Sequence, residues 1–252
     1  MIEQSDEQRF RMQRGRRVHT NNSVRRTYDL VRSALRALED NTTVSEAELV
    51  STFSASRNTV RAVLQQLAEH GIVSRGPKVG TTVSGSTIIP LNELAPLAGW
   101  QTRSTLRSRV LETAVIPAFE AIRNSLGLDP GATVGVIEGV VLDGDLPLAL
   151  FVSYIAVPPE EAAHLGDEGL STIAFLERHM GVRIVESDTV LSVLAADEQT
   201  AELLQIPRGA PIGLVEDQLR DADGRPWAVC QLRCRGDRMS FSANARRVVH
   251  SS

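Results

Sequence analysis

Between residues 24 and 38, Val24, Tyr28, Val31, Leu35 and Leu38 recur at spacings of four, three, four and three. That is the apolar stripe of an amphipathic helix, and Asn22 or Ser23 stands where a capping side chain belongs. Ser45-Glu46-Ala47-Glu48 has the S-x-x-E form in which a hydroxyl and a carboxylate each satisfy an unpaired amide of a first helical turn. A second helix is therefore expected there, with Ala47, Val50 and Phe53 facing inward. The pattern breaks at Ser54-Ala55-Ser56 and restarts with Ser56 as cap, which predicts a third helix over 57–70 that stops at Gly71. Val60, Val63, Leu64 and Leu67 make its core side, while Arg57, Asn58 and Arg61 open the other face. Two short strands, 72–74 and 81–83, flank Arg75-Gly76-Pro77-Lys78-Val79-Gly80, whose glycines and proline force a tight reversal.

The pattern changes after Ser84-Gly85-Ser86. LGLDPGATVGVIE, residues 126–138, returns without gaps as LQIPRGAPIGLVE, residues 204–216, at an offset of 78. Leu126, Gly131, Ala132, Gly135 and Glu138 recur identically. Each copy follows a helix-like run, 117–126 or 197–204, and leads through a strand and an acidic turn into a second strand. The turns are Asp143-Gly144-Asp145 and Asp221-Ala222-Asp223-Gly224, both strong hairpin signals. With further helical stretches at 159–165 and 172–180, the fold class is α+β: three helices and a hairpin, then an antiparallel sheet with helices packed on it. Two copies are duplication inside one domain, since a solenoid needs about three.

Charge sharpens this division. Residues 1–85 carry 13 Arg and Lys against 9 Asp and Glu, and residues 86–252 carry 14 against 22, so a basic part of +4 precedes an acidic part of −8. A basic third on an acidic body points to one part meeting a polyanion. Three helices with a short break between the second and third, followed by a basic hairpin, make a winged helix-turn-helix, whose last helix enters the DNA major groove by its first residues. No apolar run approaches the roughly 20 residues of a membrane helix, and the start of the chain lacks the apolar core of a secretory signal, so a cytoplasmic protein with no membrane partner is expected. Cys230 and Cys234 lie four apart in a strand-like stretch, too far for a disulfide. His19, His70, His164, His179 and His250 are scattered, so neither a structural metal nor a cofactor is expected.

Ser56-Arg57-Asn58-Thr59-Val60-Arg61, then Leu67-Ala68-Glu69-His70-Gly71 and Gly80-Thr81-Thr82-Val83, resemble the DNA-binding domain of the GntR family of bacterial transcription regulators. The region from Leu91 to Arg247 resembles the effector-binding UTRA domain of its HutC subfamily, through Ser153-Tyr154, Ser171, Leu203-Leu204, Gly209, Asp223-Gly224-Arg225-Pro226 and Arg235-Gly236-Asp237-Arg238. The resemblance implies a homodimer paired through UTRA domains of chorismate-lyase-like fold. The resemblance further implies that the dimer senses a small-molecule effector, reads an inverted-repeat operator in double-stranded DNA and acts as a repressor. Arg57, Thr59 and Arg61 match recognition-helix contacts and Gly80 matches the wing glycine; Asn58, Arg75 and Lys78 complete the expected DNA-binding set. The domains read as a basic arm over 1–23, a winged helix over 24–83, a linker over 84–90 and UTRA over 91–248.

The departures carry information. Where the family's second helix bears an arginine, this chain has Ala47, and the wing tip keeps only Arg75 and Lys78. The arginine-rich arm over 9–17, with Arg25 and Arg26, can compensate electrostatically; its other reading is a disordered tail. The sugar-phosphate-sensing branch grips phosphate with two arginines one residue apart, and those positions here are Gly139 and Val141. Its sugar-contacting carboxylates and aromatic hydroxyls fall on Phe151, Ile173, Ala228 and Cys234. Phe151, Tyr154, Ile173 and Trp227 are then the expected effector wall, with Ser153 and Ser171 orienting a ligand less polar than a sugar phosphate. In the alternative, the same side chains fill a core. The rival function is a chorismate-lyase-like enzyme with an appended DNA-binding domain, but no nucleophile with its base, carboxylate pair or metal set stands out.

Overall fold

The computed structural model describes residues 23–36, 38, 41–76, 80–84, 87–91, 106–158, 164–165 and 171–245, in two units, one ending at Ser84 and one beginning at Thr87. In the first unit, α1 (Val24–Leu35), α2 (Glu46–Phe53) and α3 (Arg57–Glu69) close around Val31, Leu35, Val60, Val63, Leu64 and Leu67, all fully or almost fully buried. Ser45 Oγ accepts from the amides of Ala47 and Glu48, while the Glu48 carboxylate accepts from the Ser45 amide, so the capping box closes. Ser54 takes φ 48° and ends α2, and Ser56 Oγ accepts from the Thr59 amide at 3.1 Å to start α3. Strands β1 (Thr43–Val44), β2 (Val73–Gly76) and β3 (Gly80–Val83) form an antiparallel sheet in the order β1-β3-β2.

Three expectations for this unit need correction. Helix α1 stops at Leu35, and Leu38 is exposed beyond it. Ala47 is exposed, and Leu49 is the buried residue of α2, because Ala47 sits about 200° around the helix from it. The hairpin is extended by β1, a two-residue strand too short to leave a periodic signal.

The second unit is built on a six-stranded antiparallel sheet in the order β5-β6-β7-β10-β9-β8. Its strands are β5 (Leu106–Pro117), β6 (Thr133–Asp143), β7 (Leu146–Ile155), β8 (Ile184–Ala195), β9 (Pro211–Asp221) and β10 (Pro226–Arg235). Helix α4 (Glu120–Leu126) follows β5, α5 (Thr172–Met180) precedes β8, and α6 (Glu198–Leu204) follows β8. The duplication is thus a whole β-α-β-β unit: β5, α4 and β6 recur as β8, α6 and β9 at the offset of 78 seen in the sequence. The second hairpin turn is longer, so β7 and β10 are related by a larger shift, and they pair at the centre of the sheet. Phe151 opposes Leu232 and Val152 opposes Gln231, which puts a local two-fold axis between these pairs.

Antiparallel pairing puts directly opposed residues on one face, so the register sorts the side chains. Ile137, Val141, Ala149, Phe151, Ser153, Cys230 and Leu232 share the face on which α5 packs through Phe175 and Leu176. Val134, Val140, Leu150, Tyr154, Val229 and Ile212 share the other, covered by α4 at one end and α6 at the other. Residues 117–119 belong to the end of β5 and the cap of α4, so the expected helix over 117–126 begins later. Thr87–Pro90, expected as linker, form strand β4, parallel to β11 (Met239–Ser242), with Ile89 fully buried beneath the sheet. Most of the expected helix at 159–165 lies outside the described residues.

Candidate DNA-binding surface and effector face

Helix α3 is divided by burial. Val60, Val63, Leu64 and Leu67 are wholly buried, whereas Arg57, Asn58 and Arg61 are exposed on its first turns. Thr59 corrects its expected role: it is 6% exposed, and its hydroxyl lies 2.9 Å from Ser56 Oγ, so it belongs to the helix cap and not to the outer surface. Arg61 Nε donates to Glu46 Oε2 at 3.0 Å, and Arg75 Nη2, from β2, donates to Glu46 Oε1 at 3.1 Å. One carboxylate therefore joins the start of α2 to α3 and to the hairpin. Sequence reasoning missed it, because the capping box accounts for Glu48 and leaves Glu46 without a signal. Gly80 opens β3 at φ 85°, a conformation that favours glycine. Lys78 and the arm over 1–22 lie outside the described residues.

On the α5 face, the ring of Phe151 covers Gly139: a Cβ there would stand 2.4 Å from Phe151 Cζ and 2.7 Å from the Arg109 carbonyl oxygen. Val141 is buried beside it. Ile173 and Trp227, partly exposed, pack on the same cluster as Phe151. Trp227 Nε1 donates to Asp221 Oδ2 at 2.7 Å, and this bond, ahead of others from backbone amides, holds the Asp221 carboxyl below its ordinary range. Ser171 caps α5 by accepting from the Ala174 amide. Ser153 is 2% exposed, with its hydroxyl 2.8 Å from Thr172 Oγ1 and donating to Cys230 Sγ, so it works inside the core. Tyr154 lies on the opposite face, packed with Leu126 and Val134, since neighbours along a strand alternate. Five of the six expected effector residues thus share the α5 face and Tyr154 does not.

Arg233 and Arg235, the cations of β10, are held away from that face. Arg233 pairs with Asp197 at the cap of α6. Arg235 makes a bidentate pair with Asp237, at 3.0 and 2.7 Å, and donates to the Leu204 carbonyl at the end of α6. The α6 face carries a cleft of about 120 Å³ lined by Glu138, Val152, Thr200, Leu203, Gln231 and Arg233, which sequence reasoning did not find. Glu138 and Glu216, related by the repeat, stand mid-strand, and Glu216 accepts from Gln231 Nε2. Burial pushes the Cys230 thiol up to about 11 and raises that of Cys234 further, so both are protonated at neutral pH. Among the described residues no group of three His, Cys, Asp or Glu is placed to hold a metal ion, and no helix is long and apolar enough to cross a membrane.

A winged helix-turn-helix with arginines on its outer helix, followed by a duplicated α+β domain, defines a DNA-binding regulator with a sensory domain. Residues 24–83 match the bacterial regulatory proteins of the gntR family, and residues 101–240 match the UTRA domain. The chain belongs to the GntR family of transcriptional regulators, in its UTRA-bearing branch. It is 28% identical over 222 residues to the HTH-type transcriptional regulator Rv0792c of Mycobacterium tuberculosis, spanning 82% of this chain and 79% of that one. It is also 28% identical over 204 residues to the transcriptional repressor NagR of Bacillus subtilis, spanning 78% of this chain and 82% of the repressor. The crystal structure of PhnF from Mycobacterium smegmatis shares the fold, with a TM-score of 0.62 at 22% identity over 90% of this chain and all of that one. The family is one of regulators, which sets aside the chorismate-lyase-like enzyme as the function.

Proposed function

We propose that this regulator is a repressor that binds an inverted-repeat operator as a homodimer and releases it when a small molecule occupies the α5 face of the sheet. The observation that carries the DNA half is the division of α3: one face fully buried, the other opening with exposed Arg57, Asn58 and Arg61. Arg75, Lys78 and Gly80 make the wing contacts. Two relatives, NagR and the fructoselysine operon regulator of Escherichia coli, carry the word repressor in their names, which supports repression. Edge strand β8 exposes Val190, Leu191, Val193 and Leu194, apolar surface suited to a second copy. Such a protein acts in the cytoplasm, where the DNA is.

The effector lacks a phosphomonoester. Phe151, Ile173 and Trp227 give an apolar wall and Ser171 a hydroxyl, while Gly139 and Val141 offer no cation and the arginines of β10 serve the other face. A dianion there would lose hydration that nothing replaces, and each charge-assisted bond forgone is worth roughly 1.5–3 kcal/mol. Selection of bound DNA from a random pool by the full chain tests the first half, and an inverted repeat is the expected product. A pool with no enriched sequence would overturn it. Calorimetric titration with glucosamine 6-phosphate tests the second: silence is expected, and micromolar binding that also weakens operator affinity would overturn it.

A further inference from the structure

Glu46 is the first residue of α2, yet both of its carboxylate oxygens are occupied by side chains from other elements, Arg61 of α3 and Arg75 of β2. The three side chains are 35%, 67% and 36% exposed respectively, so this junction lies at the surface of the unit, and Arg61 follows the exposed Arg57 and Asn58 by one helical turn. We propose that Glu46 is a positioning residue for sequence readout, fixing the Arg61 guanidinium and tying it to the wing so that discrimination, more than raw affinity, depends on it. The proposal rests on the reading of α3 and the hairpin as the DNA-binding surface.

The chemistry follows from the fork of donors. A guanidinium can meet the O6 and N7 acceptors of guanine with its two terminal nitrogens or with Nε and one terminal nitrogen. With Nε given to Glu46, Arg61 keeps only the end-on pair, Nη1 and Nη2. A long side chain held in one orientation loses less freedom on docking than a free one. The same carboxylate, however, repels phosphates and lowers affinity for DNA of any sequence. Orientation and repulsion act in opposite directions, which makes the two separable by experiment.

The test is the affinity of the full chain, as parent and as Glu46→Gln and Glu46→Asp, for its selected operator and for unrelated DNA of the same length, over a series of salt concentrations. Glutamine keeps the size and removes the charge; aspartate keeps the charge but is too short to hold both arginines in place. For Glu46→Gln the expected result is an operator affinity lower by about tenfold, typical of a broken side-chain network, with affinity for unrelated DNA unchanged or higher. For Glu46→Asp, operator affinity falls with no gain on unrelated DNA. The Glu48 capping box is intact in both variants, and thermal unfolding checks that the domain is. Parallel losses on both DNAs that track a lowered melting temperature would make Glu46 merely structural and overturn the proposal. Equal gains on both would make it a repulsive charge only, and would overturn the proposal as well. A parent that selects a sequence with a Glu46→Gln variant that keeps its discrimination overturns the proposal alone; a parent that selects none overturns the DNA-binding reading with it.

Discussion

Gly139 decides, by what it lacks, what the α5 face can hold. Its backbone needs no special conformation; the constraint is the Phe151 ring, which leaves no room for a Cβ. Gly139→Ala should therefore destabilise the second unit by about 1–3 kcal/mol, the cost of overpacking, seen as a lower urea midpoint with an unchanged slope. Unchanged stability would mean that the ring is free to move aside. An arginine cannot simply be restored at this position while Phe151 stands over it. That Gly139 and Val141 carry no cation was legible in the sequence, because a residue type can be read directly. It hid the partner that fills the gap, because Phe151 reaches Gly139 only through the β6–β7 register. Ser153 and Tyr154 illustrate the same limit: adjacent in sequence and both plausible ligand contacts, they face opposite sides of one strand.

Among the elements, the β9–β10 hairpin has the most explicit local chemistry. Asp221 Oδ1 accepts from the amides of Asp223 and Arg225, at 3.0 and 2.9 Å, and Oδ2 accepts from Trp227 Nε1. The Arg225 guanidinium lies 4.0 Å above the Trp227 ring. The Trp227 bond and then the amides depress the Asp221 carboxyl, so its contribution is present above the ordinary carboxylate pKa of about 3.9 and is lost as pH falls through the lower folded value. Asp221→Asn should melt lower than the parent at pH 7, with the gap narrowing below about pH 4 as the parent carboxyl protonates. A gap constant with pH would contradict the assignment. The turn itself was legible, since Asp-Ala-Asp-Gly announces a reversal. Edge strands β5 and β8 were not, because they are exposed over much of both faces and carry no clear two-residue alternation.

At the scale of the whole molecule, the sequence repeat already contained the two-fold plan of the sheet, and the charge split already separated a DNA-facing unit from an acidic one. What neither could supply was the position of the edges, which followed only once the two copies paired through β7 and β10. Those edges bear on assembly: Val193 is 76% exposed on β8, a liability for a lone subunit. Sedimentation of the full chain at micromolar concentration should show a dimer, and Val193→Lys should raise its dissociation constant by about tenfold or more, the scale of one buried apolar contact replaced by a charge. A monomeric parent would contradict the dimer, and an unaffected variant would place the contact away from β8.

The central claim is that α3 presents this regulator to DNA through the exposed arginines of its first turns. It is tested most directly by the affinity of the full chain for its selected operator at one fixed salt concentration, compared among parent, Arg57→Ala and Arg61→Ala. Each variant should lose about 1–3 kcal/mol if its arginine contacts a base edge. Both variants binding the operator as tightly as the parent would contradict the account.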